Sequence, residues 1–137
     1  MNWKTSFMII AGVLSSLFTS CSLGSGSLLG HHPRDHWKVK EVQHGNASWY
    51  SIRTNRGTRT ASGERLANHA STAAHKTLPM GTRVRVTNVT NGKSEVVRIT
   101  DRGPYTKGRI IDVTVGCAER LGFYSRGVAP VKVEVLQ

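Results

Sequence analysis

Two cysteines in 137 residues are too few for a disulfide framework, so a fold held together by cross-links is not expected. Acidic side chains are also scarce: eight Asp and Glu stand against nineteen Lys and Arg, a formal net charge of +11. Such a surface attracts anionic polymers, whether nucleic acid, acidic lipid or an anionic cell wall. The basic residues are scattered along the chain and not blocked into one helix, which disfavours nucleic acid. Long apolar runs are missing too. The one at the amino terminus, Phe7 to Leu14, is too short for a permanent transmembrane helix. No repeat of fixed period is visible, and the length allows one compact core but not two.

What that amino terminus does have is the layout of an export signal. Lys4 precedes the apolar run, and small residues follow it up to Cys21. Residues 1–20 are therefore read as a signal peptide. Leu17-Phe18-Thr19-Ser20-Cys21 resembles a bacterial lipobox, with Phe18 where Leu is usual. Cys21 is then the lipidated first residue of the mature protein and its membrane anchor. Ser22 supplies no aspartate retention signal, so the outer membrane is the preferred destination. Residues 21–43 read as a tether, rich in Ser, Gly and Leu up to Gly30 and followed by His31-His32-Pro33-Arg34-Asp35-His36. Histidines on a flexible segment broken by Pro33 offer a metal no fixed geometry, and no metal site is expected there. With Cys21 lipidated, Cys117 lacks a partner. Beside Ala118 and Leu121 it reads as a small buried thiol rather than a nucleophile.

From His44 to the last residue the chain changes to short alternating runs separated by Gly and Asn turns, a domain over 44–137. Ala47 to Tyr50 reads as a first strand, and Thr82 to Val89 alternates Val84 and Val86 against Arg83 and Arg85. Asn91-Gly92 marks a hairpin. Glu95 to Thr100 returns, Arg109 to Val113 is a buried run, and Pro130 to Leu136 alternates again. One helix is expected between Thr114 as N-cap and Gly122 as the residue past its end, with a turn at Ser71 to His75. The fold class is thus all-β with one or two short helices. A small sheet must hide its edges, and closure into a barrel does so most completely. The long polar loop from Ser51 to Ala70 cannot be core, and such loops carry function disproportionately.

Ile99-Thr100-Asp101-Arg102-Gly103-Pro104-Tyr105 places an acid directly after a buried-strand pattern that Gly-Pro then stops. Strict alternation puts Asp101 on the face of Val97 and Ile99, where apolar walls favour a protonated carboxyl suited to general acid work. Arg102 next to it pulls the other way by charge pairing, and a structural salt bridge competes with catalysis as the reading. Glu64, after Gly63 in a polar loop, and His75, ending a run of small residues, are each weak signals. With Asp101 they make a Glu, His, Asp set of the sort that acid-base chemistry at a sugar bond requires.

Several runs together resemble the rare lipoprotein A (RlpA) family: GNASWYS, RTASGE, TAAHKTLPMGTRVRVTN, NGKSEVVRITDRGPYTKGRIIDVT and the closing GVAPVKVEVL. The likeness covers Gly45 to Leu136. It implies a six-stranded double-psi β-barrel similar to lytic transglycosylases that cut peptidoglycan glycan strands, preferentially peptide-free ones. By matching position it assigns Glu64, His75 and Asp101 to the active site. The same barrel occurs in expansins, which loosen walls without an established hydrolytic step, and a non-catalytic wall-binding protein is the alternative.

The implied chemistry delivers a proton to the oxygen between N-acetylmuramic acid and N-acetylglucosamine, then deprotonates the muramyl 6-hydroxyl so that it closes a 1,6-anhydro ring. One carboxyl serves both steps. Asp101 is the expected acid/base, with Glu64 assisting by charge stabilisation or proton exchange and the reverse assignment as the alternative; His75 is the group expected to orient a carboxylate or the sugar. Arg102 is expected to fix Asp101 or meet an acidic group, while Trp49, Tyr50 and Tyr105 offer faces for sugar rings. No metal or cofactor is needed, and a monomer is expected. The chain departs from the family pattern at Ser51 to Gly57, at Thr100 in place of Asn, and at Leu66-Ala67 after the Glu64 motif. No glycan-binding SPOR domain follows the barrel in this sequence, so enrichment on the wall is expected to come from the barrel, its charge or its lipid.

Overall fold

In the computed structural model, residues 36–55 and 57–137 are described. Cys21, the signal segment and most of the tether lie outside them. Six strands and one helix come in the order β1 (Val39–Tyr50), β2 (Thr72–His75), β3 (Arg83–Asn88), β4 (Ser94–Asp101), β5 (Arg109–Thr114), α1 (Val115–Arg120) and β6 (Val128–Leu136). They close into a barrel in the spatial order β1, β5, β2, β4, β3, β6. The pairs β1 with β5 and β2 with β4 are parallel and the other four antiparallel. These parallel pairings between strands distant in sequence are the interlocked arrangement of a double-psi barrel.

Alternation decides what fills the interior. Val84, Val86, Val97, Ile99, Ile111, Val113, Val131 and Val133 are all fully or nearly fully buried. Between them Arg83, Arg85, Lys132 and Glu134 face outward, where Arg85 and Glu134 pair at 3.6 Å. The helix starts where Thr114 caps it, its side chain accepting from the Cys117 amide, and Gly122 at φ +78° receives its end. Gly116 in this helix is irreplaceable for a different reason: a Cβ there would stand 2.8 Å from the His69 Cα. Cys117 is buried as a free thiol, and burial pushes its pKa up, the inert state expected of it.

Three boundaries differ from the sequence reading. β1 begins at Val39 and not near Ala47, because its first half zips against β6 from the Val39–Leu136 pair onward, so residues 39–43 belong to the barrel and not to a tether. Ser71 to His75 is no turn: Thr72–His75 is a strand between β4 and β5, its small Ala73 and Ala74 buried in the wall. The hairpin at Asn91-Gly92 spans a longer loop, Val89 to Lys93. The Asn88 and Asn91 side-chain amides both donate to the Leu121 carbonyl and tie that loop to the end of α1.

Candidate functional site

A bulge sets the direction of the acid. Along the β2–β4 pair, Ala73 faces Ile99 but Ala74 faces Asp101, so Thr100 is one residue too many in β4. The extra residue reverses the phase of the strand beyond it. Asp101 therefore does not share the inward face of Val97 and Ile99, as strict alternation would have it, but stands on the outer wall of the barrel. Ala74 also pairs with Asp112 of β5, and Asp112 pairs with Ser48 of β1. Asp112, Ala74 and Asp101 thus form one row across three strands, with their two carboxylates separated by two strand spacings, about 10 Å of backbone.

Tyr50 lies beside this row, close enough to feel both acids. Burial pushes its phenol up to about 12, and the negative charges of Asp101 and then Asp112 add to that effect. Both acids therefore lie within electrostatic reach of the phenol, which keeps its proton throughout the physiological range. The Thr72 and Thr100 hydroxyls are its neighbours, yet the Tyr50 hydroxyl has no partner in hydrogen-bonding geometry. Three buried side-chain atoms among the described residues are left without a partner: Tyr50 Oη, Thr100 Oγ1 and Arg109 Nε. All three belong to residues in or beside this row. Unused hydrogen-bonding capacity of this kind suits a ligand rich in hydroxyl and ether oxygens.

The two acids are held differently. Asp101 Oδ1 accepts the backbone N–H of Ala61 at 3.0 Å and of Arg102 at 2.8 Å, while among the described residues no side chain takes its other oxygen. The loop that supplies Ala61 is itself pinned, the Ser62 N–H donating to the Thr100 carbonyl at 3.0 Å. Asp112 receives the Ser48 hydroxyl and both of its oxygens receive Arg109. A positioned carboxyl with one free oxygen and a second carboxylate already charge-paired is an arrangement able to move a proton and to stabilise positive charge.

The other expected residues fall in several places. Glu64 lies on the outer face too, but Arg98 grips it at 2.6 and 2.9 Å, and that hydrogen bonding holds its carboxyl below the usual carboxylate range. His75 is 4% exposed at the barrel end. Its Nδ1 accepts from the amides of Thr77 and Leu78, so Nε2 carries the proton and donates to Gln43 Oε1 at 2.9 Å. Burial lowers its pKa and keeps it neutral. Its hydrogen bonds run to no carboxylate. They shape instead the 75–78 turn, whose His75 and Leu78 carbonyls accept the Arg102 guanidinium at 3.2 and 2.7 Å. Arg102 thus meets Asp101 through its backbone amide, with its charge engaged by carbonyl oxygens. Trp49 stacks on Tyr124 with ring centroids 4.9 Å apart and donates Nε1 to the Tyr124 carbonyl, and Tyr105 is 79% exposed.

Asp112, Ser48 and Arg109 are the members that sequence reasoning missed. Arg109 to Val113 reads as core, and the available signal was the one acid set between the inward Ile111 and Val113. Among the described residues, no group of three or more His, Cys, Asp or Glu is placed to hold a metal ion.

Residues 42–133 match a family model described as lytic transglycolase. The chain is 52% identical over 99 residues to the probable endolytic peptidoglycan transglycosylase RlpA of Synechocystis, covering 72% of this chain and 30% of that protein. It is 55% identical over 93 residues to the endolytic peptidoglycan transglycosylase RlpA of Neisseria meningitidis serogroup A, covering 68% of this chain and 38% of that protein. The match therefore spans about a third of the length of these relatives. Among solved structures, the fold is similar to Streptomyces papain inhibitor, with a TM-score of 0.58, 18% identity and coverage of 72% of this chain and 97% of that one. It is also similar to a Clavibacter michiganensis expansin mutant bound to cellohexaose, with a TM-score of 0.57, 17% identity and coverage of 71% and 51%.

Proposed function

The chain belongs to the RlpA family of lytic transglycosylase barrels, and from that membership we propose that it cleaves the N-acetylmuramic acid to N-acetylglucosamine bond of peptidoglycan glycan strands, leaving 1,6-anhydromuramic ends. The observation that carries this reading is the gathering on one stretch of the barrel wall of Asp101, Asp112 and the unpartnered polar atoms of Tyr50, Thr100 and Arg109. Asp101 is the acid/base. Its Oδ1 is fixed by two amides, and its other oxygen gives a proton to the glycosidic oxygen, then takes one from the muramyl 6-hydroxyl as that hydroxyl attacks the anomeric carbon. Asp112 supplies negative charge where the ring becomes positive, and Tyr50 offers a hydrogen bond from its protonated phenol. Water is not the nucleophile.

Glu64 assists only from outside this pair, its charge neutralised by Arg98. His75 acts through Arg102 as a positioning residue. Export and lipidation at Cys21 would put the barrel on the periplasmic side of the envelope, at the outer membrane, with its basic surface toward the wall.

The test is product chemistry on peptide-free glycan strands, read by mass spectrometry. Anhydromuramic ends are the expected product. Reducing muramic ends would mean a hydrolase instead, and strands bound but uncut would leave a wall-binding barrel.

A further inference from the structure

A concavity lies where the chain enters the barrel. Trp37, Lys40, Leu78, Arg83 and Leu136 line a recess of about 390 Å³, which shares no residue with the row of Ser48, Asp112 and Asp101. That volume lies near the lower end of what small-ligand sites enclose, room for one polar head group rather than a polymer. Its walls are fixed. Lys38 and Gln137 exchange both backbone hydrogen bonds at 2.9 Å, which fastens the residue after Trp37 to the end of β6. The Thr82 hydroxyl donates to the Pro79 carbonyl at 2.6 Å and the Gly81 amide to the Ile99 carbonyl at 2.7 Å, so the 78–82 turn is held to β4.

The recess pairs an apolar edge with positive charge. The Arg83 guanidinium stands 5.6 Å from the centre of the Trp37 ring, and Trp37 is still 41% exposed. Val39, two residues on, is 44% exposed. Lys40 has no hydrogen bond or ion pair among the described residues. Glu41 is the one acidic side chain of the lining, and it is occupied by the Gln43 amide at 2.8 Å. An exposed indole with two cations beside it suits the boundary between water and a phospholipid layer, the ring at head-group depth and the cations on phosphate. The aliphatic Val39 next to them favours a lipid layer over a phosphate polymer, which offers it nothing apolar.

From this geometry we infer that the Trp37–Arg83 recess is a docking site for the head group of an anionic phospholipid, by which the barrel itself sits on the bilayer. It rests on the export and lipidation reading rather than on the chemistry at the acids. Cys21, the expected anchor, lies sixteen residues before Trp37, at most about 55 Å of extended chain. The anchor therefore keeps this end of the barrel, before any other, within reach of the surface. Docking here leaves the acids free: Ser48 in their row lies nine residues beyond Val39, about 30 Å along β1. A domain tumbling on its tether becomes one with a fixed face toward the wall.

The chain carrying Cys21→Ser, purified after export and signal removal so that no acyl chain contributes, is mixed with two kinds of vesicle: phosphatidylcholine alone, and equal parts phosphatidylcholine and phosphatidylglycerol. Binding is read by co-sedimentation, and contact by quenching of tryptophan emission with brominated acyl chains. Binding to the mixed vesicles alone is expected, with quenching that is lost in Trp37→Phe. Arg83→Gln and Lys40→Gln are each expected to bind about fivefold more weakly, the worth of one charge at such a surface. Arg126→Gln, which removes an exposed charge near the Tyr50 end of β1, should leave binding unchanged. An equal loss in all three charge variants would mean adsorption by net charge and overturns the inference, as does equal binding to both vesicles or quenching unaltered by Trp37→Phe. Displacement by inorganic phosphate without quenching would make the recess a site for a soluble anion and overturns the lipid assignment. Docking beside a wild type that takes up no palmitate analogue would keep the site and drop the anchor, and palmitate uptake without docking would do the reverse.

Discussion

Arg98 holds the Glu64 carboxylate through both terminal nitrogens, at 2.6 and 2.9 Å, on the outer face of β4 and three residues before Asp101. A carboxylate so engaged stays ionised and is a poor proton donor. Glu64→Gln is therefore expected to keep at least about a tenth of wild-type cleavage, whereas Asp101→Asn loses about a hundredfold or more, the span of a general acid's contribution. Asn at 101 keeps the oxygen that accepts from Ala61 and Arg102, so its melting temperature should stay near that of the wild type. The opposite ranking of the two variants would move the acid to Glu64.

Tyr50→Phe separates chemistry from stability. The phenol oxygen is buried without a partner, so removing it costs the fold little and can stabilise it. The same change deletes the donor between the two acids, and cleavage should fall about tenfold, as loss of one transition-state hydrogen bond implies. A melting temperature that drops while turnover is unchanged would count against the role given to Tyr50.

His75 ties stability to pH. Burial lowers its pKa below the ordinary 6.5, so between the two values the unfolded chain binds more protons than the folded one. The stabilisation from neutral His75 is complete above 6.5 and declines as pH falls through that value toward the folded pKa. Thermal melts from about pH 7.5 to about pH 5.5 should show this downward slope for the wild type and a flatter line for His75→Gln. Identical slopes would place the titrating group elsewhere.

Replacing Cys21 by Ser tests the anchor. Labelling with a palmitate analogue should vanish, and the protein should move from the membrane to the soluble fraction of the envelope. Persistent labelling would assign the lipid to another residue.

Much of this molecule is legible in its residues alone. Val84, Val86, Val131 and Val133 alternate with charged neighbours so regularly that the pattern dictates β3 and β6, and Thr114 and Gly122 bracket the helix they are expected to bracket. What escapes has physical causes. Thr72-Ala73-Ala74-His75 carries too little side-chain bulk to signal a strand, although small residues are what a crowded wall between β4 and β5 admits. The bulge at Thr100 leaves no mark in hydrophobicity, since Thr fits either phase, and so the orientation of Asp101 is hidden. Asp112 is hidden by its neighbours, because two isoleucines and a valine dominate the pattern around it.

β1 sets Ser48 and Tyr50 beside the two acids, and it reaches β5 and β6 only across separations of more than sixty residues. Without those pairings the two acids face no phenol, and the proposed chemistry lacks one of its three groups. Site assembly and barrel closure are one event, so on the proposed reading an unclosed copy would leave glycan uncut.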